Sequence, residues 1–222
     1  MAGLMRGGAD NLLLLMEKEA QKYINTPKLQ ALLRRAEQVT AGSESNLKPV
    51  AKRAIANAIA IAYVKSNAIA NAIAIANAYT NAYVKSIANA IANFIANASA
   101  YPKANAIAYA ITYTRELEGL KVFKGINFTV LIARLEALKA KAPDDKQPEE
   151  ARQAFAKQIL QTLLQAFRLN PELVNLSEEE AKAWKNYFYA NYLMVQCKAA
   201  AVRVSPTTWE AIEERMLLVP NN

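Results

Sequence analysis

With 222 residues and 53% hydrophobic content, the chain has ample material for a packed core and is too apolar to be disordered throughout. One cysteine, Cys197, and no histidine exclude an internal disulfide, a zinc cluster and nucleophile-histidine catalysis. The net charge of +8 is concentrated: Ser45 to Arg115 holds no acid and seven bases, so the remainder is nearly balanced.

Met1 to Arg6 lacks the charged start, apolar core and cleavage site of a signal peptide, and Leu12 to Met16 is too short to serve as one, so a cytoplasmic protein is expected. Asn11 to Tyr23 and Lys28 to Val39 carry apolar residues at helical spacing, divided by Asn25-Thr26-Pro27. They predict a helical hairpin in a first unit, 1–44. Thr40 to Pro49, with Gly42 and Pro49, predicts a polar linker.

A second unit, 45–115, is dominated by alternation, with alanine at nearly every even position from Ala54 to Ala110. Strict alternation is formally a strand signal. Strands would need turns, yet from Ala54 to Glu118 there is no glycine and only one proline, Pro102. Alanine favours helix, and Ile55, Ile59 and Tyr63, like Ile75, Tyr79 and Tyr83, recur every four residues. The asparagines sit two positions away, about 200° round a helix, so apolar and amide faces are expected on opposite sides. One helix from Ala54 to Thr114 would run about 90 Å, far beyond a compact chain with a radius of gyration near 17 Å. It must therefore fold back, with breaks expected at the two Tyr-Val-Lys-Ser repeats (63–66 and 83–86) and at Asn97 to Lys103. Interrupting asparagines and Lys65 argue against a membrane span.

In a third unit, 116–222, helices are predicted over Asn127 to Lys141, Pro148 to Leu169, Ser177 to Ala200 and Ser205 to Leu217. Ser177 and Glu180 have the spacing of a capping box, and Ser205-Pro206 predicts another helix start. Trp184, Phe188 and Tyr192 fall four apart, the spacing of a packed helix face, and with Trp209 they are expected to dock the last two helices. The fold class is therefore all-α, a helical bundle or short α-solenoid with Ala-rich repetitive helices in its middle.

Chemistry-bearing candidates are few. The six glycines do not form a phosphate loop. Cys197 reads as a structural thiol, and Glu178 to Glu180, Glu210, Glu213 and Glu214 read as carboxylates of helix starts or exposed faces. No catalytic, cofactor-binding or metal-binding residue is assigned, and no cofactor is expected.

Tyr187-Phe188-Tyr189-Ala190-Asn191-Tyr192-Leu193-Met194-Val195-Gln196-Cys197, followed by Val204-Ser205-Pro206-Thr207-Thr208-Trp209-Glu210 and Ile212 to Leu218, resembles the C-terminal helical domain of bacterial, especially cyanobacterial, NACHT-type NTPases. Ala2 to Arg6 with Ala9 to Met16 resembles the stretch that joins the ATPase region to that tail, and monotonous middles are a feature of the family. The resemblance implies a sensing, autoinhibitory or assembly module of signal-transducing NTPases in conflict and phage defence. The ATPase and its phosphate loop are absent from the sequence, so a detached tail or a remnant is expected, and no catalytic residue is carried over. The implied partner is a protein, such as a NACHT-type ATPase in trans; Trp184, Phe188, Tyr192 and Trp209 are expected to carry the helix packing, and the Asn-rich face of Ala68 to Asn97 to be the contact surface. The alternative is nucleic-acid or anionic-surface binding through Lys48, Lys52, Arg53, Lys65, Lys85 and Lys103.

Overall fold

The computed structural model describes residues 8–63, 69–79, 104–144, 146–201 and 203–220. Among these there are helices and no strands. They run α1 (Asp10–Gln21), α2 (Pro27–Thr40), α3 (Pro49–Tyr63), α4 (Ile69–Ala78), α5 (Ala104–Gly119), α6 (Phe128–Lys139), α7 (Glu149–Ala166), α8 (Pro171–Val174), α9 (Glu178–Ala200) and α10 (Pro206–Arg215).

Helix starts follow local chemistry. Proline opens α2, α8 and α10, where its missing N–H costs nothing. The side chains of Thr26, Asn127 and Asn170 accept backbone N–H groups from Leu29, Val130 and Glu172 at 3.3, 3.0 and 2.9 Å. The Ser177–Glu180 capping box closes in both directions, at 3.2 and 2.9 Å. Ser205 does not cap through its side chain; instead its backbone N–H donates to Asp10 Oδ1 at 3.0 Å.

The alternating segment is helical wherever it is described. α3 and α4 are separate helices packed on each other, and residues 64–66 of the first Tyr-Val-Lys-Ser repeat lie outside the described residues. The second repeat and Asn97 to Lys103 lie outside the described residues, and α5 begins directly after them.

Two expectations need correction. The first concerns α1 and α2, which do not lie side by side as a hairpin. α1 packs along α9 and α10, while α2 packs on α3 and α8, so the Lys22 to Thr26 turn hands the chain to a different neighbour. The second concerns α3, which is not amphipathic in place. It has α2, α4, α8 and α10 around it, so Ile55, Ile59 and the alternating alanines are buried, and Asn57 is fully buried with them. A helix surrounded on all sides needs an apolar surface on all sides, which alanine supplies with little bulk. Asn57 Nδ2 accordingly turns back onto its own helix, donating to the Arg53 carbonyl at 2.9 Å.

The predicted units 1–44, 45–115 and 116–222 share one core. A single cluster of buried residues runs from Leu13, Leu29 and Leu32 through Ile55, Ile59, Ile75 and Ile107 to Leu131, Ile159, Trp184 and Ile212. On about 25 cal/mol per Å² of apolar surface buried, such shared packing binds the three together far more strongly than any surface ion pair.

Candidate functional site

The four aromatic residues singled out from the sequence divide into two groups. Trp184 and Phe188 are fully buried on α9, with ring centroids 5.1 Å apart in an edge arrangement, and Tyr187 completes the group at 6.3 and 5.6 Å. Tyr192 is half-buried at the edge of this core. The group does not join α9 to α10 directly, as predicted: α9 lies against α1 and α4. Trp209 stands apart on α10, reached by the Lys198 ammonium, 5.8 Å from its ring centroid. Four-residue spacing correctly marks the buried face of α9, but it cannot name the helix that covers that face.

Two helices, α1 and α3, hold α10. α1 is tied along it by Ala9 N–H donating to the Arg203 carbonyl at 2.9 Å, by the Asp10–Ser205 bond, and by the Arg215 guanidinium on Glu17. From α3, Arg53 inserts its guanidinium at the C-terminal end of α10. Its Nε donates to the Met216 carbonyl at 2.9 Å, and one terminal nitrogen donates to the Glu213 and Glu214 carbonyls at 3.0 Å each. These carbonyls have no partner within the helix and carry the negative end of its dipole, so a buried cation there is favourable. Burial pushes the Arg53 pKa below its ordinary value, opposed by the Glu37 and Tyr187 charges. Beyond the helix end, Leu217 adopts a left-handed backbone (φ 62°), where glycine is usual, and complete burial holds it there.

Glu213 is the hub that sequence reasoning missed. Its carboxylate accepts from Lys48 Nζ at 2.8 Å and from the Trp209 indole N–H, and it sits close to the Tyr79 phenol. Only 11% of its side chain is exposed, so it is not the surface carboxylate expected of this stretch. The readable signal was its position one turn after Trp209, within reach of the indole. Burial first, and the Glu213 charge second, push the Tyr79 phenol well above its ordinary range. These residues with Leu47, Val195 and Lys198 line a cleft of about 730 Å³ between the start of α3, the end of α4, and helices α9 and α10.

The basic residues do not form one surface. Arg53 is buried and spent on α10, which corrects its assignment as a surface base. Lys48 pairs with Glu213, and Lys52 donates to Ser43, to the hydroxyl at 3.0 Å and the carbonyl at 3.4 Å. Lys65, Lys85 and Lys103 lie outside the described residues, as does most of the Asn-rich face. Within the described part, Asn77 has its Oδ1 buried. Cys197 is a free, partly buried thiol packed against the core. Among the described residues no group of three or more His, Cys, Asp or Glu is placed to hold a metal ion, and no helix is long and apolar enough to cross a membrane.

Residues 131–219 match the family model of NACHT C-terminal Helical domain 2. The match begins in α6 and runs through α10, taking in Trp184, Phe188, Tyr192, Trp209 and Glu213. No curated protein and no solved structure matches the chain.

Proposed function

Proceeding from a chain whose residues 131–219 carry a NACHT C-terminal helical domain 2, we propose that it is a non-enzymatic helical regulatory and protein-interaction module of a NACHT-type NTPase, serving sensing or phage-defence signalling in the cytoplasm. The observation that carries this reading is the attachment of α1 along α10. By resemblance, α1 lies where such proteins join the ATPase region to the tail. A helix fixed at Asp10 and again at Glu17 moves with the domain rather than independently of it. A shift in an ATPase engaged at α1 thus reaches α10, and occupancy of the domain surface reaches the ATPase in return, as linkage requires.

The test is to add the chain to a NACHT-type ATPase from the same genome and follow ATP turnover and complex formation. The expected result is a stable complex with altered turnover, and a weaker effect from Glu17→Gln with unchanged helicity. Absence of any complex, together with salt-sensitive nanomolar binding to DNA or RNA, would instead favour the nucleic-acid reading.

A further inference from the structure

A cleft opens beside Trp209, where α9 and α10 meet the start of α3 and the end of α4. Its volume of about 730 Å³ lies within the span usual for small-molecule sites. Its wall combines the Trp209 indole and the apolar side chains of Leu47 and Val195 with the polar groups of Lys48, Tyr79, Lys198 and Glu213. Lys48 and Lys198 bring two positive charges against the single negative charge of Glu213, so the cleft is net cationic. Among the described residues Lys198 has no ion pair; its ammonium rests over the Trp209 ring. Among the described residues the buried Tyr79 hydroxyl has no hydrogen bond of good geometry, although the Glu213 carboxylate lies close to it. Burial and the Glu213 charge keep this phenol protonated, a donor whose nearby acceptor, Glu213, is poorly aligned with it.

We propose that this cleft binds a small amphipathic anion, its aromatic or aliphatic body against Trp209 and Val195, and its carboxylate, sulfonate or phosphate head on Lys198 and the Tyr79 hydroxyl. Such a head supplies an opposite charge for an ammonium that, among the described residues, rests on a ring, and a better-aligned acceptor for the Tyr79 hydroxyl. Glu213 takes no part in holding the head. It fixes Lys48 and the indole, so the ring presents a preformed face. The site joins the end of α4 to α9 and α10, so an occupant would brace the Ala-rich segment against the matched domain.

The chain has only two tryptophans, Trp184 and Trp209, and Trp184 is fully buried, so a ligand in the cleft meets Trp209. The full chain is titrated with 8-anilinonaphthalene-1-sulfonate, an aromatic anion, exciting tryptophan and reading energy transfer to the probe. Saturable one-to-one binding is expected. Lys198→Gln should weaken it about fivefold, the scale of one partly exposed charge pair. Lys22→Gln, a control at the exposed residue that follows α1, should leave it unchanged. The uncharged N-phenyl-1-naphthylamine should bind more weakly and be indifferent to Lys198→Gln. Circular dichroism verifies that the variants remain folded. The proposal is overturned by non-saturating binding, by equal affinity of Lys198→Gln and the parent chain, or by equal affinity for the uncharged probe.

Discussion

Arg215 grips Glu17 with two parallel hydrogen bonds, Nε to Oε1 and a terminal nitrogen to Oε2, both 2.8 Å, joining residues 198 positions apart. The forked geometry is the one a guanidinium makes best with a carboxylate. Glu17 is buried on α1, while almost half of the Arg215 side chain meets solvent, so water weakens the pair without dissolving it. The Glu17 hydrogen bonds raise the Arg215 pKa, with burial opposing. In a double-mutant cycle of Glu17→Gln and Arg215→Met, followed by urea unfolding, the expected coupling is about 1 kcal/mol. A coupling indistinguishable from zero would remove this pair from the attachment of α1.

Arg53 gives a sharper expectation. Its replacement by methionine keeps the aliphatic stem but leaves the Glu213, Glu214 and Met216 carbonyls without their donor, at a cost of about 3 kcal/mol. Lysine at this position should rescue only part of the loss, because one ammonium cannot span carbonyls served by both Nε and a terminal nitrogen. Thermal unfolding of the two variants orders them. If Arg53→Met unfolds like the parent chain, the buried cap contributes nothing.

Glu180 supplies a pH dependence with a defined sign. Its carboxylate accepts from the Ser177 backbone, the main reason its pKa falls below the ordinary carboxylate range; burial opposes this, and Lys28 and the Thr26 hydroxyl assist. A group whose folded pKa is depressed stabilises the fold above its unfolded pKa and loses that contribution as pH falls through the folded value. Glu180→Gln should therefore be less stable than the parent chain at pH 7, and the two should converge as pH drops below about 4. Ser177→Ala, which removes the other half of the box, should cost about 1 kcal/mol at pH 7. Urea midpoints across this range provide the measurement, and a gap that persists in acid would contradict the assignment.

The contrast between Ser177 and Arg53 shows what the sequence could reveal. Caps are local: Ser177 and Glu180 are three residues apart, and α9 starts where that spacing places it. The stop ahead of Asn170-Pro171 is local as well, although the short helix α8 after Asn170 was not anticipated. Arg53 and Glu213 owe their roles to neighbours 160 positions away, and charge counting could only assign them to a surface. One clue existed: Arg53 lies three residues after Val50 and four before Asn57, on a stripe where Val50 and Asn57 are both buried. Alternation of alanine with larger residues blurred that stripe, since every face of α3 is apolar enough to bury. The cleft was illegible for the same reason, being assembled from four segments whose convergence no local spacing encodes.

The register of α9 can be tested by two adjacent aromatics. Phe188 is fully buried, its ring 5.1 Å from Trp184 and 5.6 Å from Tyr187, whereas the next residue, Tyr189, is 50% exposed. One step along a helix turns a side chain by about 100°, enough to move it from the core to solvent. Phe188→Ala should cost about 4 kcal/mol through lost transfer energy and the cavity left beside Trp184, and that indole should report looser packing in its fluorescence. Tyr189→Ala should stay within about 0.5 kcal/mol of the parent chain. Equal losses at the two positions would mean that α9 is rotated relative to α1 and α4. Trp184 would then no longer define the buried face of the matched domain.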